Sequence, residues 1–285
     1  MPELPEVEVV RRGLQYWTAG REILQVDVRH PRATRRHVAG PADFAAHLRG
    51  QRLGEVQRRG KFLWWPLGET ALVGHLGMSG QFRVDGDAGV HTRIRFDLNR
   101  PLLFDDQRTF GGMWVYPLID GTPAALARIA EDPFSPAFDP AGVVALIRSR
   151  RAPIKALLLD QGIVSGIGNI YADEALWMAR VHWATPGAAL SARKTREVLE
   201  AAREVMARSI EAGGTSFDRL YVNVNGSSGY FQRDLFAYGQ EGLPCARCGT
   251  PIIREKFANR SSFRCPRCQR PPRGTARAGS ALGKG

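Results

Sequence analysis

Four cysteines constrain this chain more than any other feature. Cys245, Cys248, Cys265 and Cys268 are its only cysteines, and they form C-x2-C-x16-C-x2-C. Two knuckles at this separation match zinc-ribbon spacing, because each C-x2-C turn sets two thiolates on one side and two turns complete a tetrahedron. The alternatives are a pair of disulfides or a redox C-x2-C. Reducing conditions oppose the first, and the lack of a thioredoxin-like βαβ pattern opposes the second. Four sulfur ligands leave no open position, so the expected cofactor is one structural Zn2+ without a chemical role. Between the knuckles, Ile252, Ile253, Phe257 and then Phe263 read as the arms of a hairpin. Its bend is expected at Asn259-Arg260-Ser261-Ser262.

The zinc segment also carries most of the charge. The 285-residue chain has a net charge of +12, and from 241 to 285 ten Lys/Arg face only Glu241 and Glu255. A local basic stripe is the footprint of a phosphate-backbone contact, so DNA or RNA is the expected partner. An acidic membrane surface would also attract it. However, no stretch approaches the roughly 18 consecutive apolar residues of a membrane span. The opening MPELPEVEVV is acidic and lacks the basic n-region of a secretory signal. A soluble cytoplasmic chain that does not enter a membrane is expected. Its 44% hydrophobic content suits packed cores, and its length suits two ordinary domains.

The pattern along the chain predicts an α+β multidomain protein. Val7, Val10 and Leu14 recur at helical spacing behind Pro5, which predicts a helix over 4–14 weakened at its end by Gly13. A strand over 23–28 and a short helix over 41–48 follow. From 51 to about 118 the chain reads as short strands, among them 61–65, 71–75, 81–84, 92–98 and 102–104, with turn signals such as Asp85-Gly86 between. A run of strands preceded by a helix predicts an N-terminal β-sandwich with a helix packed on it. The proline-rich stretch 121–140 is the expected boundary. Beyond it helices are expected over 141–149, 153–161, 169–179 and 191–212, the last capped by Ser191 and stopped by Gly213. The loop 162–168 carries three glycines, which would bring its backbone amides close to a neighbour. The stretch 213–229 reads as mobile, and the tail after Cys268 as basic and disordered.

The N-terminus carries a second chemical reading. Pro2 is small enough that removal of Met1 is expected, leaving a secondary amine at the terminus. A free α-amine has a pKa of roughly 7.7–8.0, so a useful fraction is neutral and nucleophilic near physiological pH. Such an amine adding to a sugar C1′ expels a base and forms an iminium. Glu3 and Glu6 stand beside it as acid, base or positioning groups, or as carboxylates that merely complement a helix dipole.

Together the motifs resemble formamidopyrimidine-DNA glycosylase. They are MPELPEVE at the start, HLGMSG at 75–80, DQRTFGG at 106–112, SGIGNIYADEALW at 165–177, and NRSSF before the second knuckle. The resemblance runs from Met1 to Cys268. It implies a bifunctional glycosylase and AP lyase acting on double-stranded DNA with oxidised purines, followed by strand cleavage by β,δ-elimination. It also implies a catalytic β-sandwich over 1–130, a helix–two-turn–helix domain over 131–238, a zinc finger over 239–270 and a tail over 271–285. DNA would lie in the cleft between the domains. A bacterial enzyme of the cytoplasm and nucleoid is implied. A monomer is the default, and no nucleotide cofactor is needed, since the bonds broken belong to the substrate.

By that resemblance Pro2 is the Schiff-base nucleophile, Glu3 protonates the sugar ring oxygen, and Glu6 supports them. Lys61 donates a proton during elimination, and Arg260 grips phosphates and assists the second elimination. Met78, Arg108 and Phe110 correspond to residues that enter the duplex when the base is flipped out, with Arg108 meeting the orphaned cytosine. His75, His91, Arg151, Lys155 and Asn169 correspond to phosphate contacts, and Asn169 also opens a helix, where an anion is favoured. Thr109 stands where the family often has a second arginine, which removes one phosphate or stacking contact. An endonuclease VIII-like glycosylase, which prefers oxidised pyrimidines, typically begins PEG, so Leu4 favours the purine enzyme. A zinc-ribbon DNA-binding protein without catalysis would leave Pro2 and its carboxylates without a purpose.

Overall fold

The computed structural model describes residues 2–214 and 235–272. The expected mobile loop and disordered tail therefore fall largely outside the described residues. Among these, the chain forms two compact units. The first comprises 2–138, 164–167 and 206–214, and the second comprises 139–163, 168–205 and 235–272.

The first unit begins with α1 (Leu4–Thr18), which buries Leu4, Val7, Val10 and Leu14 on one face. Gly13 does not end it. The helix continues to Thr18, whose hydroxyl donates to Leu14 O at 2.7 Å and accepts the Trp65 indole N–H at 2.8 Å. Tertiary anchoring of the last turn thus outweighs the roughly 1 kcal/mol helix penalty of one glycine. After β1 (Gln25–Val28) and α2 (Gly40–Leu48) come β2 (Gln57–Arg59), β3 (Phe62–Leu67), β4 (Thr70–His75) and β5 (Gly80–Val84). Then follow β6 (Thr92–Asp97), β7 (Pro101–Asp106), β8 (Gly112–Ile119) and β9 (Thr122–Pro123). They pair antiparallel into two sheets, ordered β1-β6-β7-β5 and β2-β3-β4-β8-β9.

Successive residues of a strand face opposite sides, and here both sides of one sheet are covered. Leu63, Trp65, Leu72 and Met113 enter the main core with Leu14, Phe44, Phe82 and Phe104. Trp64, Ala71, Val73 and Trp114 form a second cluster with Leu126 on the other face. This explains why Phe62–Leu67 reads as a continuous apolar run rather than an alternation.

The second unit holds α3 (Pro140–Arg148), α4 (Ile154–Leu159), α5 (Asn169–Met178) and most of α6 (Ala192–Glu211). Ser191 caps α6 as expected, its hydroxyl accepting the Lys194 N–H at 3.1 Å. Beyond the helix Gly213 and Gly214 take φ of +82° and +87°, a backbone that favours glycine. The hairpin is β10 (Ile253–Phe257) and β11 (Arg260–Arg264), with Phe257 opposite Arg260. Its bend is therefore Ala258-Asn259, with Ala258 at φ +49°, and not the expected Asn259-Arg260-Ser261-Ser262. The physical reason is that Ser262 and the Phe263 N–H are drawn into the strand by the buried carboxylate of Asp173.

One ionic knot ties the exposed face of α1 to the start of the larger sheet. Glu8 receives Arg11 Nε at 2.9 Å and Arg58 Nε at 3.0 Å, while Arg58 Nη1 reaches Asp132 at 2.7 Å. Burial raises the Glu8 carboxyl, but hydrogen bonds and charge from Arg11 and Arg58 outweigh it and hold it at about 2. Because the folded pKa lies below the unfolded value of 4.5, this contribution is complete above that value and is lost as pH falls toward about 2. Wild-type urea midpoints should therefore fall more steeply than those of Glu8→Gln between pH 5 and pH 2. Parallel pH profiles would contradict the assignment.

Candidate active site and nucleic-acid interface

The N-terminal corner is built by a reciprocal capping box. Glu3 is the N-cap of α1, Glu6 returns its carboxylate to the Glu3 N–H at 2.9 Å, and the Glu3 side chain faces the Glu6 N–H. Pro2 is buried, and Glu3 is only 1% exposed. The Leu4 N–H donates to Gly166 O at 3.1 Å, and Lys61 Nζ donates to Ile167 O at 3.0 Å. Two successive carbonyls of one loop thus hold the chain end and the lysine. The glycine loop holds them through its carbonyls, while its Ser165 N–H donates to Glu131 O at 3.4 Å, so an amide of the loop also meets a neighbour as expected. Gly166 sits at φ +91°, and a Cβ there would lie 2.4 Å from Leu4 Cδ1. Gly60, just before Lys61, is pressed against Ser165, where a Cβ would lie 2.7 Å from Oγ, and its N–H is fixed by Asp132 at 2.9 Å. At the far end of this unit Gly214 lies against Glu6, where an added Cβ would approach Glu6 Cγ to 3.4 Å.

A second cluster presents Met78, Arg108 and Phe110. Met78 sits in the turn between β4 and β5, and Arg108 and Phe110 in the loop between β7 and β8. The two segments touch through backbone: a Cβ on Gly77 would fall 2.3 Å from Gly111 N. Arg108 and Phe110 are exposed, with the guanidinium 5.0 Å from the ring centroid. His91 is exposed and His75 half-buried, its Nδ1 accepting the Gly77 N–H at 3.0 Å. Sequence reading missed Asp106, which organises the whole cluster and is 1% exposed. The signal was present. Asp106 shares strand parity with Leu102 and Phe104, so a carboxylate stands on a core-facing row.

In the second unit the four cysteine sulfurs lie within 4.8 Å of one another, with Cys248 and Cys265 Sγ at 3.5 Å. Zinc–sulfur bonds of about 2.3 Å place tetrahedral ligands about 3.8 Å apart, so the cluster fits the ion, and the sulfurs are too far apart for disulfides. Hydrogen bonds from Thr250 lower the Cys248 thiol to about 6. Burial and the neighbouring thiols push Cys268 up to about 12, a repulsion that a divalent cation removes. The Trp177 indole N–H donates to Cys245 Sγ at 3.4 Å. These residues form the site of one structural zinc.

Around it, expectation and structure differ at one residue. Lys155 is 0% exposed; its Nζ pairs with Asp173 at 2.7 Å and donates to Ser261 O at 3.1 Å. A lysine so enclosed is not available to a phosphate, so this structure corrects its reading as a phosphate contact. Asn169 is the first residue of α5, with Gly168 as the cap, and its Nδ2 donates to the same Ser261 O at 3.1 Å. Arg260, beside Ser261 at the hairpin tip, is exposed, as is Arg151 ahead of α4. Asp173 and Glu174 were also missed. Asp173 accepts Ser262 Oγ at 2.8 Å and Phe263 N at 3.0 Å. Glu174 accepts the N–H groups of Phe236, Ala237 and Tyr238 at 3.0, 2.8 and 2.8 Å. Burial raises both carboxyls despite these donors. Two acids in an otherwise apolar helix face were the available clue, since a buried carboxylate needs donors.

Residues 1–113 match the formamidopyrimidine-DNA glycosylase N-terminal domain, and 129–219 match the formamidopyrimidine-DNA glycosylase H2TH domain. Residues 242–271 match a zinc finger found in FPG and IleRS. The formamidopyrimidine-DNA glycosylases of Streptomyces coelicolor and Thermobifida fusca are 55% and 54% identical, spanning 96% of this chain and 100% and 99% of theirs. The crystal structure of the MutM (Fpg) protein from Thermus thermophilus gives a TM-score of 0.84 at 40% identity, covering 94% of this chain and 98% of that one. A structure of MutM in complex with carbocyclic 8-oxo-G containing DNA gives 0.84 at 30% identity, covering 95% and 100%. Sandwich, helical module and finger, in this order, define the class of zinc-bearing DNA glycosylases. Within that class, the chain belongs to the formamidopyrimidine-DNA glycosylase family.

His75 offers a direct check on this electrostatic picture. Burial, then the charges of Arg36, Lys61 and Arg35, lower its pKa to about 4. The ring is therefore neutral at pH 7, with Nδ1 accepting from Gly77 and the proton on Nε2. An NMR titration should place its midpoint near 4; a midpoint near the usual 6.5 would contradict it.

Proposed function

We propose that this chain excises oxidised purines, chiefly 8-oxoguanine and ring-opened formamidopyrimidines, from double-stranded DNA, and then cleaves the abasic strand. The observation that carries the reading is the N-terminal corner, where a buried Pro2 and Glu3 share one loop with Lys61. Removal of Met1 exposes the Pro2 amine. Its nitrogen lone pair forms a bond to C1′, the glycosidic bond breaks, and the base leaves with the electron pair of that broken bond and takes up a proton. Glu3 protonates the ring oxygen, which opens the sugar to the iminium, and Glu6 keeps the Glu3 backbone in place. Loss of a C2′ proton then expels the 3′ phosphate, and a second elimination expels the 5′ phosphate. Lys61 supplies a proton in these steps, and Arg260 grips phosphate for the second. Water then adds to the remaining iminium carbon, and the C–N bond breaks to release the sugar remnant as an aldehyde and restore the Pro2 amine.

In this reading Met78, Arg108 and Phe110 fill the gap left by the extruded nucleotide, with the guanidinium of Arg108 on the orphaned cytosine. His75, His91, Arg151 and Asn169 contact the backbone. Lys155 acts at one remove, by holding the hairpin that carries Arg260. We assign the sandwich to 1–130, the helical DNA-binding domain to 131–238, the finger to 239–270 and a basic tail to 271–285. The enzyme works as a monomer in the bacterial cytoplasm at the nucleoid, without a nucleotide cofactor. No helix among the described residues is long and apolar enough to cross a membrane.

Borohydride trapping tests the reading. Wild type mixed with duplex containing 8-oxoguanine opposite cytosine should give a covalent adduct that Pro2→Gly loses. Glu3→Gln should release base about 10²- to 10⁴-fold more slowly, the usual range for a lost general acid. No adduct with either oxidised purine or oxidised pyrimidine lesions would sink the proposal. A preference for pyrimidines would replace the purine reading with an endonuclease VIII-like substrate range.

A further inference from the structure

We infer that Asp106 is the positioning residue that sets Met78, Arg108 and Phe110 in one rigid frame and thereby fixes the preference for cytosine opposite the lesion. This rests on the reading of those three residues as the duplex-entering group. One carboxylate oxygen of Asp106 accepts Ser79 Oγ at 2.6 Å and the Arg108 N–H at 3.2 Å. The other accepts the Gly111 N–H at 2.7 Å, and Ser79 Oγ also accepts the Arg108 N–H at 3.1 Å. The Asp106 N–H donates to His91 O at 2.9 Å. One residue thus joins the Met78 turn, the Arg108–Phe110 loop and the segment bearing His91.

The opposite side of the same loop is clamped by arginines. Arg35 donates to Phe110 O at 2.8 Å and Gly111 O at 2.9 Å, and Arg32 Nε donates to Thr109 O at 3.3 Å. Acid therefore takes the N–H groups and guanidinium the carbonyls. Thr109 is held at φ +55°, a region a β-branched residue rarely adopts. Such a conformation persists only where its surroundings over-determine it. Meanwhile the two side chains of the loop point outward, Phe110 with 43% of its surface exposed. Fixed backbone with exposed side chains is the build of a presenting loop.

Rigidity matters because Arg108 must tell one base from another. Fixed guanidinium donors meet the acceptors of cytosine and mismatch the amino group of adenine, leaving polar groups unpaired. A slack loop would let the guanidinium shift and satisfy either base. Asp106→Asn keeps the shape but replaces one acceptor by an NH2, which must face an N–H or O–H donor.

The test compares 8-oxoguanine opposite cytosine with 8-oxoguanine opposite adenine, measuring kcat and KM separately, with wild type first. Asp106→Asn should raise KM on the cytosine duplex about tenfold, the scale of one lost buried hydrogen bond, and leave kcat within about twofold. The cytosine-over-adenine ratio in kcat/KM should fall by a similar factor, a change that general loosening of the fold would not give. A folded Asp106→Asn with wild-type KM and wild-type ratio overturns the inference. Should that variant not fold, Ser79→Ala decides: a smaller fall in the same ratio supports it, and an unchanged ratio overturns it. Failure of wild type to act on 8-oxoguanine or to be trapped by borohydride would instead overturn the proposed function.

Discussion

Two neighbouring carbonyls, Gly166 O and Ile167 O, hold the start of the chain and Lys61 respectively. Most chain termini fray, and a frayed amine cannot be aimed. Here the end is fixed on three sides, by the capping box at Glu3 and Glu6, by burial of Leu4, and by the Gly166 carbonyl. Contact this close demands residues without a Cβ, which is why Gly60 and Gly166 stand where they do. The chemistry proposed for Pro2 depends on this corner.

Elsewhere the same solution recurs in another form. A chain with a net charge of +12 keeps several of its acids inside as fasteners. Glu6, Asp106, Asp132, Asp173 and Glu174 are all buried, and each receives backbone N–H groups from a segment near the proposed site. Bonds from an N–H to a carboxylate are roughly twice as strong as neutral ones, and burial shields them from water. Asp173 and Glu174, adjacent in α5, fix the hairpin return strand and the residues leading into the finger. Zinc ties the finger internally; these acids tie it to its helix. Arg260, the first residue of β11, is thereby presented by a hairpin that both the metal site and these acids hold.

The zinc site was legible because metal coordination demands four identical ligands at a fixed spacing, and the thiols converge as that spacing requires. The strand-rich first half and the capped α6 were legible from periodicity and cap residues. What failed was local detail set by distant partners. The bend at Ala258-Asn259 follows from Asp173 claiming Ser262, and α1 outlasts Gly13 because Trp65 bonds Thr18. The site was least legible where a charged residue turned inward. Lys155 looked like a phosphate ligand and is an internal fastener, and Asp106 stood in the DQRTFGG motif without a role although it joins three proposed DNA-contacting segments. A sequence motif says which residue stands at a position, but only packing says which way its charge faces.

The central claim is that the reacting atom is the nitrogen of Pro2, held by the loop that also holds Lys61. Mass-spectrometric mapping of the borohydride-reduced adduct, after digestion of both protein and DNA, tests it most directly. The account predicts the sugar remnant on the N-terminal peptide, attached at Pro2, with Met1 gone. A remnant on Lys61 or on any other lysine, with Pro2 unmodified, would contradict it.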